Sequence, residues 1–197
     1  MNILRYEDYP VTPWKNGQGI TRDIMKHAPD DDGFIWRLSL ADVGQSGAFS
    51  EFGGYDRTIT LLDGEGFSLN FDDGTSKTID APFAPYDFDG GATLFCELIG
   101  GPCRDVNLMV SKNRAMAEWR VHDLATPVFM EKKTDAAQLL FCLSGSVCME
   151  LPGEAPHALN QWDSALLGDD GAVEVSASTN GDTTAPSLLF HAAITVR

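Results

Sequence analysis

Turn-forming residues return roughly every eight to twelve positions along this 197-residue chain, and the stretches between them are short and rich in β-branched and aromatic side chains. Such spacing leaves little room for helices of ordinary length and predicts an all-β sandwich or barrel. Candidate strands fall at 34–41, 57–62, 66–71, 93–99, 105–110, 138–143, 146–151, 172–176 and 187–196, with turns at Asp72-Asp-Gly74, Asp89-Gly-Gly91 and Asp169-Asp-Gly171. The best helical candidate is the short stretch 112–119.

Two segments repeat a strand, a tight glycine turn and a strand. They are Leu62-Asp-Gly64-Glu-Gly-Phe-Ser-Leu69 and Leu143-Ser-Gly145-Ser-Val-Cys-Met-Glu150, offset by 81 residues (145 − 64). A loop containing Pro and Asp follows each, then another apolar strand. The pattern predicts one small barrel present twice, with the division between the copies near 111–124.

Charge narrows the partners. Fourteen Lys and Arg against 29 Asp and Glu give a net charge of −15, and no basic run interrupts the acidity, which argues against nucleic acid or an anionic membrane surface. The acidic start and the absence of any long apolar run predict a soluble, cytoplasmic chain. Cys96, Cys103, Cys142 and Cys148 form no Cys-x-x-Cys pair and are expected to be buried thiols. His27, His122, His157 and His191 are widely separated, so no metal site is expected. No cofactor motif is found. A Gly-x-Ser-x-Gly elbow and a phosphate-binding Gly-x-x-x-x-Gly-Lys are both missing.

Cationic side chains are unevenly spread. Arg5, Lys15, Arg22, Lys26, Arg37 and Arg57 crowd the first sixty residues, whereas no arginine lies between Arg120 and Arg197. The segment Pro13-Trp-Lys-Asn-Gly-Gln-Gly-Ile-Thr-Arg22 reads as an irregular binding loop. Alternation puts Arg37 and Ser39 on the face of their strand opposite to Trp36, Leu38 and Leu40. It likewise puts Asp105, Asn107 and Met109 opposite to Val106, Leu108 and Val110. Two polar strand faces mean either solvent exposure or the lining of a barrel mouth. If they converge with Arg57, the product is a pocket of guanidinium donors suited to a small carboxylate or phosphate.

The ordered motifs Pro13-Trp-Lys-Asn-Gly17, Thr21-Arg22, Trp36-Arg-Leu-Ser39, Gly47-Ala-Phe-Ser50, Gly54-Tyr-Asp-Arg57, Gly100-Gly-Pro102 and Asp105-Val-Asn-Leu-Met109 resemble the HutD/Ves family. The match covers residues 1 to about 115 closely and the remainder more loosely. Gln18 departs from it, standing where the family commonly has another glycine. The resemblance implies an all-β bicupin, two RmlC-like jelly-roll barrels with very little helix, divided into 1–115 and 116–197. Strands could be exchanged between the barrels. It also implies an association with histidine utilisation, without an assigned reaction. Neither repeat carries the His-x-His of metal-binding cupins.

These readings combine into a metal-free, non-enzymatic protein binding a small anionic metabolite such as formylglutamate or urocanate, and thereby limiting or sensing flux through that pathway. Its expected ligand-binding residues are Trp14, Lys15, Asn16, Arg22, Trp36, Arg37, Ser39, Arg57, Asp105, Asn107 and Met109. A metal-free hydrolase or isomerase using Asp105 or Asp56 is the first alternative. A protein-interaction module using the acidic second half is the other. Pairing of edge strands makes a homodimer an open expectation.

Overall fold

The computed structural model of the chain describes residues 1–30, 32–131, 133, 135–168, 172–178 and 185–197, so the turn expected at 169–171 lies outside the described residues. Strand β1 (Asn2–Leu4) and a 3-10 turn at Tyr6–Asp8 come before the hairpin β2 (Val11–Pro13) and β3 (Gly19–His27). Eight strands follow: β4 (Trp36–Val43), β5 (Gly47–Ala48), β6 (Tyr55–Asp63), β7 (Phe67–Phe71), β8 (Ser76–Ile79), β9 (Tyr86–Asp89), β10 (Leu94–Leu98) and β11 (Cys103–Ser111). Eight more complete the chain: β12 (Ala115–Asp123), β13 (Val128–Met130), β14 (Ala136–Ser144), β15 (Ser146–Glu150), β16 (His157–Asn160), β17 (Ser164–Leu167), β18 (Val173–Ala177) and β19 (Leu188–Val196).

The two sets of eight are wired alike. The first contributes neighbours β4-β11-β6-β9 to one sheet and β5-β10-β7-β8 to the other; the second contributes β12-β19-β14-β17 and β13-β18-β15-β16. The repeated turn explains the likeness locally. Gly64 and Gly145 both have positive φ, +95° and +70°. A Cβ on Gly64 would come within 2.7 Å of the Pro102 carbonyl oxygen and 2.9 Å of the Cys103 Cα. On Gly145 it would come within 2.7 Å of the Ser187 hydroxyl and 3.1 Å of the Pro186 carbonyl oxygen. In each copy the segment leading into the last strand lies over the hairpin turn, and only glycine meets both demands.

The chain divides into two compact units, one of residues 9–115 with Arg197 and the other of residues 1–8 with 116–196. The first eight residues therefore belong with the second half, which corrects the grouping of 1–115. The reason is β1, which pairs antiparallel with β17, Ile3 opposite Ala165. Arg5 Nη1 reinforces it by donating to Asp163 at 2.7 Å, as does the Tyr6 amide at 3.0 Å.

The stretch 112–119 is not helical. Lys112–Arg114 make a turn closed by the Arg114 amide on the Ser111 carbonyl at 3.2 Å, and β12 follows. Ala115, Ala117 and Trp119 are more buried than Met116, Glu118 and Arg120. That is a period of two, and the pairing of β12 with β19 outweighs the helix propensity of its alanines. The segment 13–22 is also more regular than expected. Pro13 pairs with Ile20 and Val11 with Arg22, so only Trp14–Gln18 form the connecting loop.

Each unit encloses its own core between its two sheets. In the first, Ile59 and Leu61 from one sheet meet Phe67, Leu69, Leu94 and Cys96 from the other. In the second, Leu140, Cys142, Val147, Met149, Val175 and Leu189 do the same. Burying such aliphatic side chains stabilises the fold by about 1.5–3 kcal/mol each. Cys96, Cys103 and Cys142 are buried free thiols, as the sequence suggests, whereas Cys148 is free but only half-buried; burial raises the thiols of Cys103 and Cys142 to about 12.

Candidate functional site

Strand β11 is the spine of the first unit, paired with β4 on one side and β6 on the other. Three rungs cross it: Arg37–Met109–Arg57, then Ser39–Asn107–Ile59, then Ala41–Asp105–Leu61. The side chains of these rungs share the inner face of the sheet, with Arg37 and Arg57 on the first rung and the Asp105 carboxyl between Ala41 and Leu61 on the third. The polar face of β4 and β11 is thus the lining of a barrel mouth and not an exposed surface. Asp105, on the deepest rung between Ala41 and Leu61, is 1% exposed.

Above this face lies a cleft of about 530 Å³. Nine of the eleven expected residues line it: Trp14, Lys15, Asn16, Arg37, Ser39, Arg57, Asp105, Asn107 and Met109. Arg22 and Trp36 do not. Arg22 points away from the face that Thr21 gives to the cleft, and it pairs with Asp42, which also holds Arg104. Trp36 occupies the opposite face of β4 from Arg37, is buried, and stacks on His27 at 6.0 Å. Asp56 is likewise absent from the cleft; it is exposed and 3.8 Å from Lys112 Nζ, which leaves Asp105 as the one carboxyl of the two that lines the cleft.

Arg57 is the focus of the site. Its guanidinium carbon is 5.1 Å from the centroid of the Phe49 ring, 5.5 Å from Phe52 and 4.9 Å from Phe88. Nη1 donates to the Ser50 carbonyl at 3.2 Å and Nε to Asn107 Oδ1 at 3.4 Å. These acceptors are uncharged, and among the described residues no carboxylate lies within ion-pair distance of Arg57. Aromatic faces hold a cation without neutralising it. Burial at 6% exposure lowers its pKa to about 10, against the pull of Asp105 and with the push of Arg37, so it stays charged at neutral pH. Arg37, by contrast, gives its Nε to Asp23 Oδ1 at 2.6 Å.

Asp105 faces the opposite situation. Burial raises its pKa to about 7; Arg57 pulls the value down and Asp42 pushes it up, but neither outweighs the loss of water. Its Oδ2 is buried and meets no hydrogen-bond partner among the described residues.

The Trp14–Gln18 loop forms one rim. Trp14 Nε1 donates to Thr21 Oγ1 at 2.7 Å, and the ring packs on the core beside Phe49 and Ala41. Gln18, at the position where a glycine was expected, turns back on its own loop: Asn16 Nδ2 donates to its Oε1 at 2.8 Å. Its side chain lies beside Gly47 and stays out of the cleft. The residues that the sequence did not single out are the three phenylalanines. Phe49 stood inside the Gly47-Ala-Phe-Ser50 motif, but Phe88 reaches Arg57 only through the pairing of β9 with β6, which opposes Phe88 to Arg57. Among the described residues no three His, Cys, Asp or Glu side chains gather as a metal site, and no helix is long and apolar enough to cross a membrane.

Comparison with known proteins agrees with this fold. The HutD family model matches residues 6–185. An uncharacterised 21.2 kDa protein from the hutC 3′ region of Pseudomonas putida is 38% identical over 172 residues, covering 86% of this chain and 88% of that one. The structure of HutD from Pseudomonas fluorescens SBW25, in its formate condition, is 32% identical with a TM-score of 0.82 and covers 100% of this chain and 98% of that one. A cupin 2 conserved barrel domain protein from Leptotrichia buccalis, 11% identical with a TM-score of 0.61 over 100% of this chain and 96% of that one, shares the fold alone. With a cupin fold in duplicate and a family match spanning most of its length, the chain belongs to the HutD family.

Proposed function

We propose that this protein binds a small carboxylate metabolite in the cleft of its first barrel and, through that binding, limits or senses flux through histidine utilisation. The observation that carries the reading is Arg57, a buried guanidinium held by three phenyl rings and two uncharged acceptors, whose charge is left for a ligand. A carboxylate seated there accepts charge-assisted hydrogen bonds in a site largely shielded from water. Asn107, Ser39 and Asn16 orient the polar remainder of the ligand, Trp14 and Met109 form an apolar wall, and Lys15 at the exposed rim attracts a second negative group. The name of the Pseudomonas putida relative supports the pathway context by its position beside hutC.

The test is calorimetric titration of the protein with formylglutamate, urocanate and plain dicarboxylates such as succinate, backed by thermal shift. Saturation at 100 times Kd raises stability by about 2.7 kcal/mol. Binding of a pathway acid that disappears in Arg57→Ala supports the reading; absence of binding by all of them refutes it. Asp105 favours a second reading, a metal-free enzyme acting on the same class of anion, because a buried carboxyl titrating near neutrality can exchange a proton with a ligand. Turnover of formylglutamate or urocanate by chelator-treated protein, abolished in Asp105→Asn, would select it.

A further inference from the structure

We infer that the cleft takes up its carboxylate together with one proton, which resides on Asp105 and turns that side chain into a hydrogen-bond donor that reads the ligand. The inference rests on the binding reading above and specifies the ionic form in which the site is loaded.

A charge count in the deep cleft leads to it. Arg57 contributes one positive charge and Asp105, when ionised, one negative charge, both on the inner face of the same sheet, on β6 and β11. With both charged, the floor is neutral overall, and a ligand carboxylate entering beside Arg57 meets a second carboxylate where burial weakens the screening by water. With Asp105 protonated, the floor carries a single positive charge, matched to one carboxylate. The protonated carboxyl also has a use for its hydrogen, since Oδ2 lies buried and without a partner among the described residues while lining the cleft.

The surroundings of Asp105 reinforce this preference. On β4, Asp42 is a like charge, although its two arginine partners, Arg22 and Arg104, offset it locally; Arg37 is joined to Asp23. Beneath the carboxyl, Cys96 on β10 and Cys103 on β11 both have thiol pKa values raised by burial and by Asp105 itself, so they remain uncharged. Asp63 acts on Cys103 from β6. Arg57 is therefore the cation opposing burial at Asp105, and a carboxylate bound to Arg57 uses up part of that opposition. Occupancy and protonation thus promote each other. Burial pushes the Asp105 carboxyl up to about 7, so the coupling falls within the neutral range.

Formylglutamate suits the experiment because its own carboxylates stay ionised across the range used. Calorimetric titrations from pH 6 to 9, in two buffers of different ionisation enthalpy, should show constant affinity below about pH 6 and a loss approaching tenfold per pH unit above about pH 7. Net proton uptake should approach one per ligand at the alkaline end. Asp105→Asn keeps a donor and removes the titration. It should bind at pH 8.5 about as tightly as the unaltered protein does at pH 6, with a flat pH profile and no buffer-dependent heat, and a thermal melt verifies that it folds. Binding that is equally tight from pH 6 to 9, or a pH slope that persists in Asp105→Asn, overturns the inference and leaves the carboxylate site standing. Absence of binding at pH 6 by formylglutamate, urocanate and succinate alike overturns the site itself and the inference with it.

Discussion

The two barrels share a blueprint and differ at the mouth. Aligned on their common glycine turn, Arg57 lies five residues before Leu62 and Gln138 five before Leu143. The pairings then match rung for rung: Arg57 opposes Met109 as Gln138 opposes Ala193, Ile59 opposes Asn107 as Leu140 opposes His191, and Leu61 opposes Asp105 as Cys142 opposes Leu189. The second barrel thus replaces the buried cation with an amide and the buried acid with leucine. Its own opening, about 330 Å³, is lined by His122, Gln138 and His191. Gln138 donates from Nε2 to the Glu131 carbonyl at 3.2 Å and meets His191 Nε2 through Oε1 at 3.2 Å. Burial lowers the pKa of both imidazoles, His191 to about 4, with further push from His122, Lys133 and Arg120. One scaffold therefore carries a buried guanidinium and a buried carboxyl in one mouth, and in the other an amide and two imidazoles bordered by Glu118, Arg120, Glu131 and Lys133. The difference shows that the strand register supplies positions while the residue at each position decides the chemistry.

The largest expected effects fall where the barrels are alike. Gly64→Ala and Gly145→Ala should each destabilise the protein by roughly 2–4 kcal/mol, because each adds positive-φ strain and a backbone clash. Denaturant unfolding measures both, and a loss in only one would break the equivalence of the turns. Next comes the asymmetry itself: Arg57→Ala should weaken carboxylate binding about 100-fold, roughly 2.7 kcal/mol, whereas Gln138→Ala should leave it unchanged within twofold. Calorimetric titration of the two variants separates the mouths directly.

Smaller effects follow from pH, with opposite signs in the two barrels. The folded-state pKa of Asp105 is raised, so the stability associated with its neutral form is complete below about pH 4 and is lost as pH rises through about 7. Asp105→Asn should therefore melt above the unaltered protein at pH 8, by the equivalent of about 2 kcal/mol, with the gap closing towards pH 4. His191 has a depressed pKa, so its contribution is present above about 6.5 and is lost as pH falls through about 4. His191→Gln should gain about 1 kcal/mol near pH 4.5 and nothing at pH 8, a figure reduced for the partial exposure of the ring. Thermal melts at these pH values sharpen the comparison, and equal pH responses of the two variants would contradict it. The smallest effect belongs to Arg22→Gln, which should change carboxylate affinity by less than about twofold, since Arg22 is joined to Asp42 outside the cleft.

Nine of the strands and their duplication were legible because they depend on near-neighbour signals: a period of two, turn residues and a repeated Gly motif. Of the nine expected residues that line the cleft, Arg37, Ser39, Asp105, Asn107 and Met109 were legible from alternation, whereas Trp14, Lys15, Asn16 and Arg57 were legible only from the loop segment and the family motifs. Arg22 was misjudged because the hairpin β2–β3 was read as a loop, and within a strand its alternation with Thr21 turns it away. Trp36 shared a motif with Arg37 but not a strand face. Residues 112–119 read as helix because propensity is local, whereas their pairing with β19 is not.

By itself, then, the sequence determined an all-β chain of two related halves and the polar faces of β4 and β11, since both follow from residue order and the two-residue period of a strand. Only the tertiary structure decided that these faces meet Arg57 across β11, that Phe49, Phe52 and Phe88 enclose its guanidinium, and that Asp105 lies deep enough to titrate near neutrality. Those facts depend on register between strands distant in sequence and on the exclusion of water. Both arise only when the sheets close over one another.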